Sequence, residues 1–173
     1  MKKIILTDYE INKDTMALQP ATDIGYETIV VERNQVLYVN KTPLQLIEAA
    51  CLEGGASYEG RREAVSYLIG ARNKVPLPIS PGEHIYALPT HSPKQFECIW
   101  LFYYHIKTFK PDPKFPNQTI IIFKSNLDLT LNVSYSTIEK QMQRTSYCIV
   151  RYSQKLIHLP LVAEHNSLMT IGW

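Results

Sequence analysis

The sequence has few of the residues that build catalytic or metal centres. Its three cysteines, Cys51, Cys98 and Cys148, lie far apart and form no C-x-x-C pair, which argues against a zinc ribbon and a disulfide framework. Its five histidines show no H-x-x-x-H or H-E-x-x-H spacing, and the chain contains no G-x-S-x-G segment. We therefore expect no bound metal, no cofactor and no catalytic residues, so the sequence does not predict an enzyme.

The chain also lacks a long apolar run. No segment reaches the roughly 18 apolar residues of a membrane span, and the start, MKKIILTDYE, has too few apolar residues for a signal peptide. The 173 residues are 45% hydrophobic and 20% charged, which is typical of a soluble globular protein. We expect one domain over residues 1–173, located in the cytoplasm without a membrane partner, with the cysteines as buried free thiols.

Charge is distributed unevenly along the chain, although the net charge is only +2. Up to Glu59 there are five Lys and Arg against nine Asp and Glu, and from Gly60 onward there are thirteen against seven. A positive balance in the later part of the chain suits a polyanion as the partner of that part.

Local patterns predict a hairpin followed by a helix in the first third of the chain. Two alternating apolar segments, E-T-I-V-V-E and Q-V-L-Y-V-N, flank Arg33-Asn34 and predict an antiparallel pair. The next segment, T-P-L-Q, combines an N-cap threonine, a proline at the first helical position and a glutamine that completes a capping box. This helix should cover residues 43–53, because Gly54 follows it.

A loop of small residues, G-G-A-S-Y-E-G, then leads into the adjacent arginines Arg61 and Arg62. Residues 60–69 fit a helix that Gly70 ends, although V-S-Y-L-I fits a strand equally well. A loop that feeds cations into a helix is typical of phosphate sites. It is not a P-loop, because Arg-Arg stands where Lys-Ser/Thr would bind phosphate and magnesium, and because the loop follows a helix instead of a strand.

The following segments predict mainly strands. Prolines at 76, 78 and 81 favour an extended edge strand, and H-I-Y-A-L-P and C-I-W-L-F-Y-Y-H-I-K are each predicted as one strand. After the loop K-P-D-P-K-F-P, the segments T-I-I-I-F-K and L-D-L-T-L-N-V predict a second hairpin. The predicted fold class is therefore α+β, a single domain of mainly antiparallel strands with two or three helices.

The last predicted helix is amphipathic. Ser136 and Glu139 form a capping box, and the helix should extend to about Leu156. The residues predicted to face the core are Ile138, Met142, Thr145, Ile149 and Tyr152. Four cations fall within an arc of about 60° on the opposite face, and they are Lys140, Arg144, Arg151 and Lys155.

Three basic groups with nearby aromatic residues are candidates for a nucleic-acid surface. The first comprises Arg61, Arg62, Arg72 and Lys74, the second is the cationic face of the last helix, and the third is the region 107–114 with Phe109 and Phe115. Each group alone is more often a solvated face, whereas several in one positive part of the chain favour nucleic acid. Charge by itself leaves both interpretations open.

Five blocks occur in order along the chain: Y-V-N-K-T-P-L-Q-L-I, S-Y-E-G-R-R, N-K-V-P-L-P-I-S, I-Y-A-L-P-T-H-S and V-S-Y-S-T-I-E-K-Q-M-Q-R-T. In order and spacing they resemble the blocks of the ComK family of competence transcription factors, from about Glu10 to about Leu159. The resemblance implies a bacterial activator of genes for DNA uptake. Such an activator binds double-stranded AT-rich DNA as a homo-oligomer, largely from the minor groove.

The resemblance implies that the loop before Arg61 and Arg62 binds the phosphates of a DNA backbone and not those of a nucleotide. The resemblance places Ser57 and Arg61 on the family's S-Y-x-G-R block and Lys74 on its lysine before the proline, while the contacts themselves are inferred from charge and loop chemistry. The expected DNA-binding residues are Ser57, Arg61, Arg62, Arg72, Lys74, Lys140, Arg144, Arg151 and Lys155.

The end of the sequence departs from the family. The best-known members carry a segment like F-M-L-Y-P-K, through which an adaptor protein delivers them to a protease, and L-P-L-V-A-E-H-N-S-L-M-T-I-G-W contains no such segment. An adaptor of a protease system is thus a partner that the resemblance implies, but delivery through that segment is not expected. The alternative function is a regulatory paralogue that acts through protein–protein contacts with little DNA binding of its own.

Overall fold

Two β-sheets, mostly antiparallel, organise the chain. The computed structural model describes the backbone of residues 3–170 and the side chains of residues 3–153. The larger sheet has the order β1-β4-β3-β2-β7-β6-β5, and the smaller one has the order β10-β9-β8. The strands are β1 Ile5–Leu6, β2 Thr15–Pro20, β3 Thr28–Glu32, β4 Val36–Val39, β5 Leu77–Ser80, β6 Ile85–Pro89, β7 Trp100–Phe102, β8 Ile106–Pro111, β9 Thr119–Phe123 and β10 Asp128–Leu131. The α-helices are α1 Pro43–Glu53, α2 Tyr58–Ile69 and α3 Tyr135–Thr170.

Both faces of the larger sheet are covered, because side chains alternate across a strand. Trp100 and Phe102 of β7 face the cluster that α1 completes with Ile47. Leu101 faces the other cluster, which the smaller sheet and Ile138 of α3 complete. A third cluster, at the β5 and β6 end of the sheet, joins α2 to α3. The predicted α+β class is therefore confirmed.

The predictions that rest on short-range signals are confirmed. Strands β3 and β4 pair around Arg33-Asn34, β9 and β10 form the second hairpin, and the proline-rich strand β5 lies at the edge of the larger sheet. Helix α1 covers Pro43–Glu53, and its capping box is formed, with the Thr42 side chain accepting from the Gln45 backbone N–H. Helix α2 is a helix and not a strand, and Gly70 follows it in the left-handed conformation.

The prediction of one strand from Cys98 to Lys107 is wrong. Strand β7 ends at Phe102, and a 3₁₀ turn over Tyr103–His105 carries the chain into β8 of the other sheet. The turn is tied to a distant part of the chain, since Nε2 of His105 lies 2.6 Å from the carbonyl oxygen of Lys13. A continuous apolar and aromatic run does not reveal such a change of sheet, because residues of the same kinds continue from the buried strand β7 through the half-buried turn to Ile106.

Two helices begin earlier than predicted because an earlier serine is the N-cap. Ser57 accepts a hydrogen bond from the Gly60 N–H at 3.0 Å, so α2 begins at Tyr58. Ser134, and not Ser136, accepts from the Thr137 N–H at 3.4 Å, so α3 begins at Tyr135. Helix α3 also extends past residue 156, to Thr170.

The face of α3 that packs on the core is rotated relative to the prediction. Its fully buried residues are Ile138, Gln141, Thr145 and Cys148, while Met142, Ile149 and Tyr152 are only half-buried. At 100° per residue, the buried face is centred about 40° closer to the cations than predicted. Arg144 and Arg151 therefore flank the buried face and are half-buried, which corrects their placement on the opposite face. The error has a simple cause, because a polar Gln141 does not count in an apolar pattern.

Gln141 ties α3 to two distant parts of the chain. Its side-chain Nε2 donates to the carbonyl oxygen of Lys74 at 2.9 Å and to that of Pro89 at 2.7 Å. The Gln141 side chain is almost completely buried, so these two hydrogen bonds satisfy an amide group that water does not reach. The hydroxyl of Thr145 donates to the Gln141 carbonyl oxygen, one turn earlier in the same helix.

Replacing Gln141 with leucine should lower the free energy of unfolding by about 2 kcal/mol or more. The substitution leaves the carbonyl oxygens of Lys74 and Pro89 without their donor, and each lost partner costs about 1–3 kcal/mol. Urea denaturation followed by circular dichroism measures the change. Gln143→Leu on the exposed side of α3 is the matched control and should change stability by less than about 0.5 kcal/mol. Equal effects of the two variants would contradict the role assigned to the Gln141 amide.

Candidate nucleic-acid interface

The short segment between α2 and β5 carries two of the predicted cations, Arg72 and Lys74. Lys74 has a φ angle of 51°, a left-handed conformation that is uncommon outside glycine. The backbone there is held from α3, since Gln141 binds the Lys74 carbonyl oxygen and Nη1 of Arg144 donates to that of Asn73 at 3.2 Å. Contacts with α3 thus determine where these two cations lie.

An open cleft of about 300 Å³ lies between this segment, the first turns of α1 and α2, and the loop after β6. It brings together three predicted cations, Arg62, Arg72 and Lys74. It also contains Lys94, which was not predicted because the single lysine in H-S-P-K-Q-F has no other Lys or Arg close to it in sequence. The other lining residues are Leu44, Glu48, Tyr58, Glu59, Asn73, Val75, Ser92 and Pro93.

The cations of the cleft outnumber its carboxylates by four to two. Arg62 is paired with Glu59 at 3.0 Å across one turn of α2, with both side chains partly exposed. Among the described side chains, no carboxylate lies within 4.0 Å of Arg72, Lys74 or Lys94. Those three charges are therefore available for an anionic partner, and they lie on a surface that water reaches.

Arg61 has a different environment from its neighbour Arg62. Its Nη1 donates to the Pro78 carbonyl oxygen and its Nη2 to the Gly54 carbonyl oxygen, each at 2.6 Å. The guanidinium thereby joins the end of α1 to strand β5, and it does not line the cleft. Gly54 is needed there, because a Cβ would lie 2.7 Å from Nη2 of Arg61 and 2.5 Å from the Ile79 carbonyl oxygen.

The expected loop at the start of α2 is thus shorter than predicted, and two candidate residues are engaged within the protein. Ser57 uses its hydroxyl to cap α2, and Arg61 uses its guanidinium to hold two carbonyl oxygens. Arg61 lies inside helix α2, so its side chain does not extend from a flexible loop. Any contact of these two with DNA remains a prediction.

The cations of α3 lie at varying distances from the cleft. Arg144 contacts Asn73 and therefore borders the cleft segment. Arg151 lies against Tyr147, with its guanidinium carbon 6.0 Å from the ring centroid. Lys140 is exposed on the first half of the helix, and the side chain of Lys155 lies outside the described residues. The structure thus joins part of the second basic group to the first.

The third basic group lies on the smaller sheet. Lys107, Lys110 and Lys114 are exposed on β8 and the loop that follows it. Phe109 packs on Tyr135 at the start of α3, with ring centroids 5.2 Å apart, and Phe115 is 57% exposed. This group does not line the cleft.

The thiols do not form a reactive centre. All three are free and buried, and burial raises the pKa of Cys51 and Cys98 to about 11 and that of Cys148 to about 12. Thiols with such pKa values are almost fully protonated at pH 7 and react poorly as nucleophiles.

Within residues 3–153, no group of three or more His, Cys, Asp and Glu side chains is placed to hold a metal ion. No described helix has the length and apolarity needed to cross a membrane.

A family model and a known relative are each similar to most of the chain. The model of the family described as ComK protein matches residues 6–157. The chain is 30% identical over 154 residues to the competence transcription factor of Bacillus subtilis (strain 168), an alignment that covers 88% of this chain and 79% of that protein. No solved structure matches.

The adjacent arginines of α2 should respond differently to substitution. Arg61→Ala removes two charge-assisted hydrogen bonds to carbonyl oxygens and should lower the free energy of unfolding by about 1.5–3 kcal/mol. Arg62→Ala removes only a partly exposed ion pair with Glu59, which is worth about 0–1 kcal/mol. Urea titration of the two variants in parallel measures the difference. If Arg62→Ala were the more destabilising change, the structural role assigned to Arg61 would be wrong.

Proposed function

The chain belongs to the ComK family, and we propose that it is a cytoplasmic transcription activator of competence genes that binds AT-rich double-stranded DNA as a homo-oligomer, largely through the minor groove. It acts by binding and not by catalysis. The observation that carries the proposal is the cleft in which Arg62, Arg72, Lys74 and Lys94 converge from separate parts of the chain.

The cleft has the charge that phosphate contacts require. Exposed lysine and arginine side chains neutralise DNA phosphates and release counterions, which provides most of the affinity that is independent of base sequence. Arg144 extends the surface along α3, because its guanidinium adjoins Asn73. Within this surface, Arg72 is the arginine best suited to enter a narrow AT-rich minor groove, since it is exposed and no described carboxylate pairs with it.

A second candidate function is regulation through protein partners, and a separate surface favours it. At the free edge of the larger sheet, Ile4 is 80% exposed, Ile5 42% and Ile24 96%. The loop that carries Ile24 adjoins this edge, because a Cβ at Gly25 would lie 3.2 Å from Cδ1 of Ile5. Exposed apolar side chains along the free side of an edge strand suit a second copy of the chain, a relative or an adaptor.

Removing cations from the cleft should reduce the salt dependence of DNA binding. The variant Arg72→Ala with Lys74→Asn loses two charges, and asparagine tolerates the left-handed backbone at position 74. The slope of log affinity against log salt concentration should flatten by about 1 for each cation lost. Fluorescence anisotropy with a labelled duplex at several salt concentrations measures the slope.

Arg33→Ala, at the turn between β3 and β4, is the matched control and should leave the slope unchanged. An unchanged slope in the double variant, with binding by the unaltered protein intact, would place the DNA contacts elsewhere. If the unaltered protein shows no salt-dependent binding to the duplex, regulation through protein partners is favoured over DNA binding.

Preference for the minor groove of AT-rich DNA is tested by competition. A ligand that fills that groove, such as distamycin, should displace the protein from an AT-rich duplex, because both occupy the same groove. A GC-rich duplex of equal length should bind more weakly, since its wider groove attracts arginine less strongly. Equal affinity for the two duplexes, or continued binding at saturating distamycin, would contradict this part of the proposal.

A further inference from the structure

Phe96 is exposed in the loop after β6. Its side chain is 59% exposed. The loop is closed by backbone hydrogen bonds, from the Gln95 N–H to the Ser92 carbonyl oxygen at 2.9 Å and from the Cys98 N–H to the Gln95 carbonyl oxygen at 3.2 Å. Cys98 is buried and anchors the end of the loop. A large aromatic side chain is thus left exposed to water, although its burial would be favourable.

Phe96 belongs to the same surface as the cationic cleft. It lines an open groove of about 340 Å³ between the start of α1 and the loop after β6. This groove and the cleft share three lining residues, Leu44, Pro93 and Lys94. An exposed aromatic ring therefore lies next to the surface on which Arg62, Arg72, Lys74 and Lys94 converge.

A phenylalanine beside a row of cations has a known use on DNA. Proteins that bend the duplex insert an apolar wedge, often phenylalanine, between two base pairs, while flanking cations hold the phosphates. Resting on the proposed function, we propose that Phe96 is such a wedge: it inserts between adjacent base pairs of the bound duplex and unstacks them. The occupant of this apolar surface is then duplex DNA, which the charge of the adjoining cleft attracts.

The wedge would also contribute to sequence preference. Steps such as TA unstack more easily than other steps, so the energy needed to insert the ring depends on the sequence at that step. Phe96 would thereby favour AT-rich sites without a hydrogen bond to any base. Lys94, two residues earlier in the loop, lies where it would hold the adjacent phosphate.

The test uses a duplex with 2-aminopurine in place of adenine at successive steps of an AT-rich site, because its fluorescence rises when it is unstacked. Binding of the unaltered protein should raise the signal at one step, and Phe96→Ala should abolish the rise and weaken binding about tenfold. The salt slope should stay the same, since no phosphate contact is lost. Phe96→Trp, which keeps a large ring, should retain the signal.

Phe115→Ala is the matched control, since Phe115 is 57% exposed but lies in the loop between β8 and β9 and does not line the cleft or the groove. It should change neither the signal nor the affinity. Loss of the signal with Phe115→Ala, or full signal and affinity with Phe96→Ala, overturns the proposal. If the unaltered protein shows no salt-dependent duplex binding, the proposed function fails and the wedge fails with it. Binding with a normal salt slope but no unstacking overturns the wedge alone.

Discussion

The buried amide of Gln141 is the contact on which the candidate interface depends most. One side chain binds the carbonyl oxygens of Lys74 and Pro89, so it fixes helix α3 against both the segment before β5 and the end of β6. Its Oε1 also accepts from Nη1 of Arg144 at 3.2 Å, and that guanidinium binds Asn73. A buried polar group with every bond made has few alternative positions, because any shift leaves a donor or acceptor unpaired. The same contacts therefore fix the positions of Arg72 and Lys74, which lie in the segment that α3 holds.

Arg61 of α2 provides the second constraint. Its two hydrogen bonds hold the end of α1 to β5, and the close approach requires glycine at position 54. The block S-Y-E-G-R-R, which contributes to the family resemblance, therefore has structural duties: Ser57 caps the helix and Arg61 joins the elements. The block Q-M-Q-R-T likewise contains the Gln141, Arg144 and Thr145 contacts. Two of the blocks that carry the family resemblance thus contain contacts that hold the elements around the cleft.

The cleft is not uniformly positive, and this affects how it would hold DNA. Glu48 and Glu59 lie among its four cations, and Glu59 pairs with Arg62. An exposed pair of this kind is weak, so a phosphate can replace the carboxylate as the partner of Arg62. The two carboxylates also repel phosphates that approach in the wrong register. Such an arrangement favours a defined orientation of the backbone over unspecific attraction, because opposite charges on one surface penalise other alignments.

The sequence by itself determined the features that depend on neighbours in the chain. The two hairpins, the capping box at Thr42 and the glycine ends of α1 and α2 follow from turn and cap chemistry within a few residues. Only the tertiary structure decided which cations meet. Lys94 lines the cleft and Arg61 does not, because contacts between residues far apart in sequence, such as Arg61 with Pro78, determine where each side chain lies. Two adjacent arginines look alike in a sequence. Only the folded chain brings the carbonyl oxygens of Pro78 and Gly54 within reach of Arg61, which makes that side chain structural, whereas Arg62 forms only a partly exposed ion pair with Glu59 at the surface of the cleft.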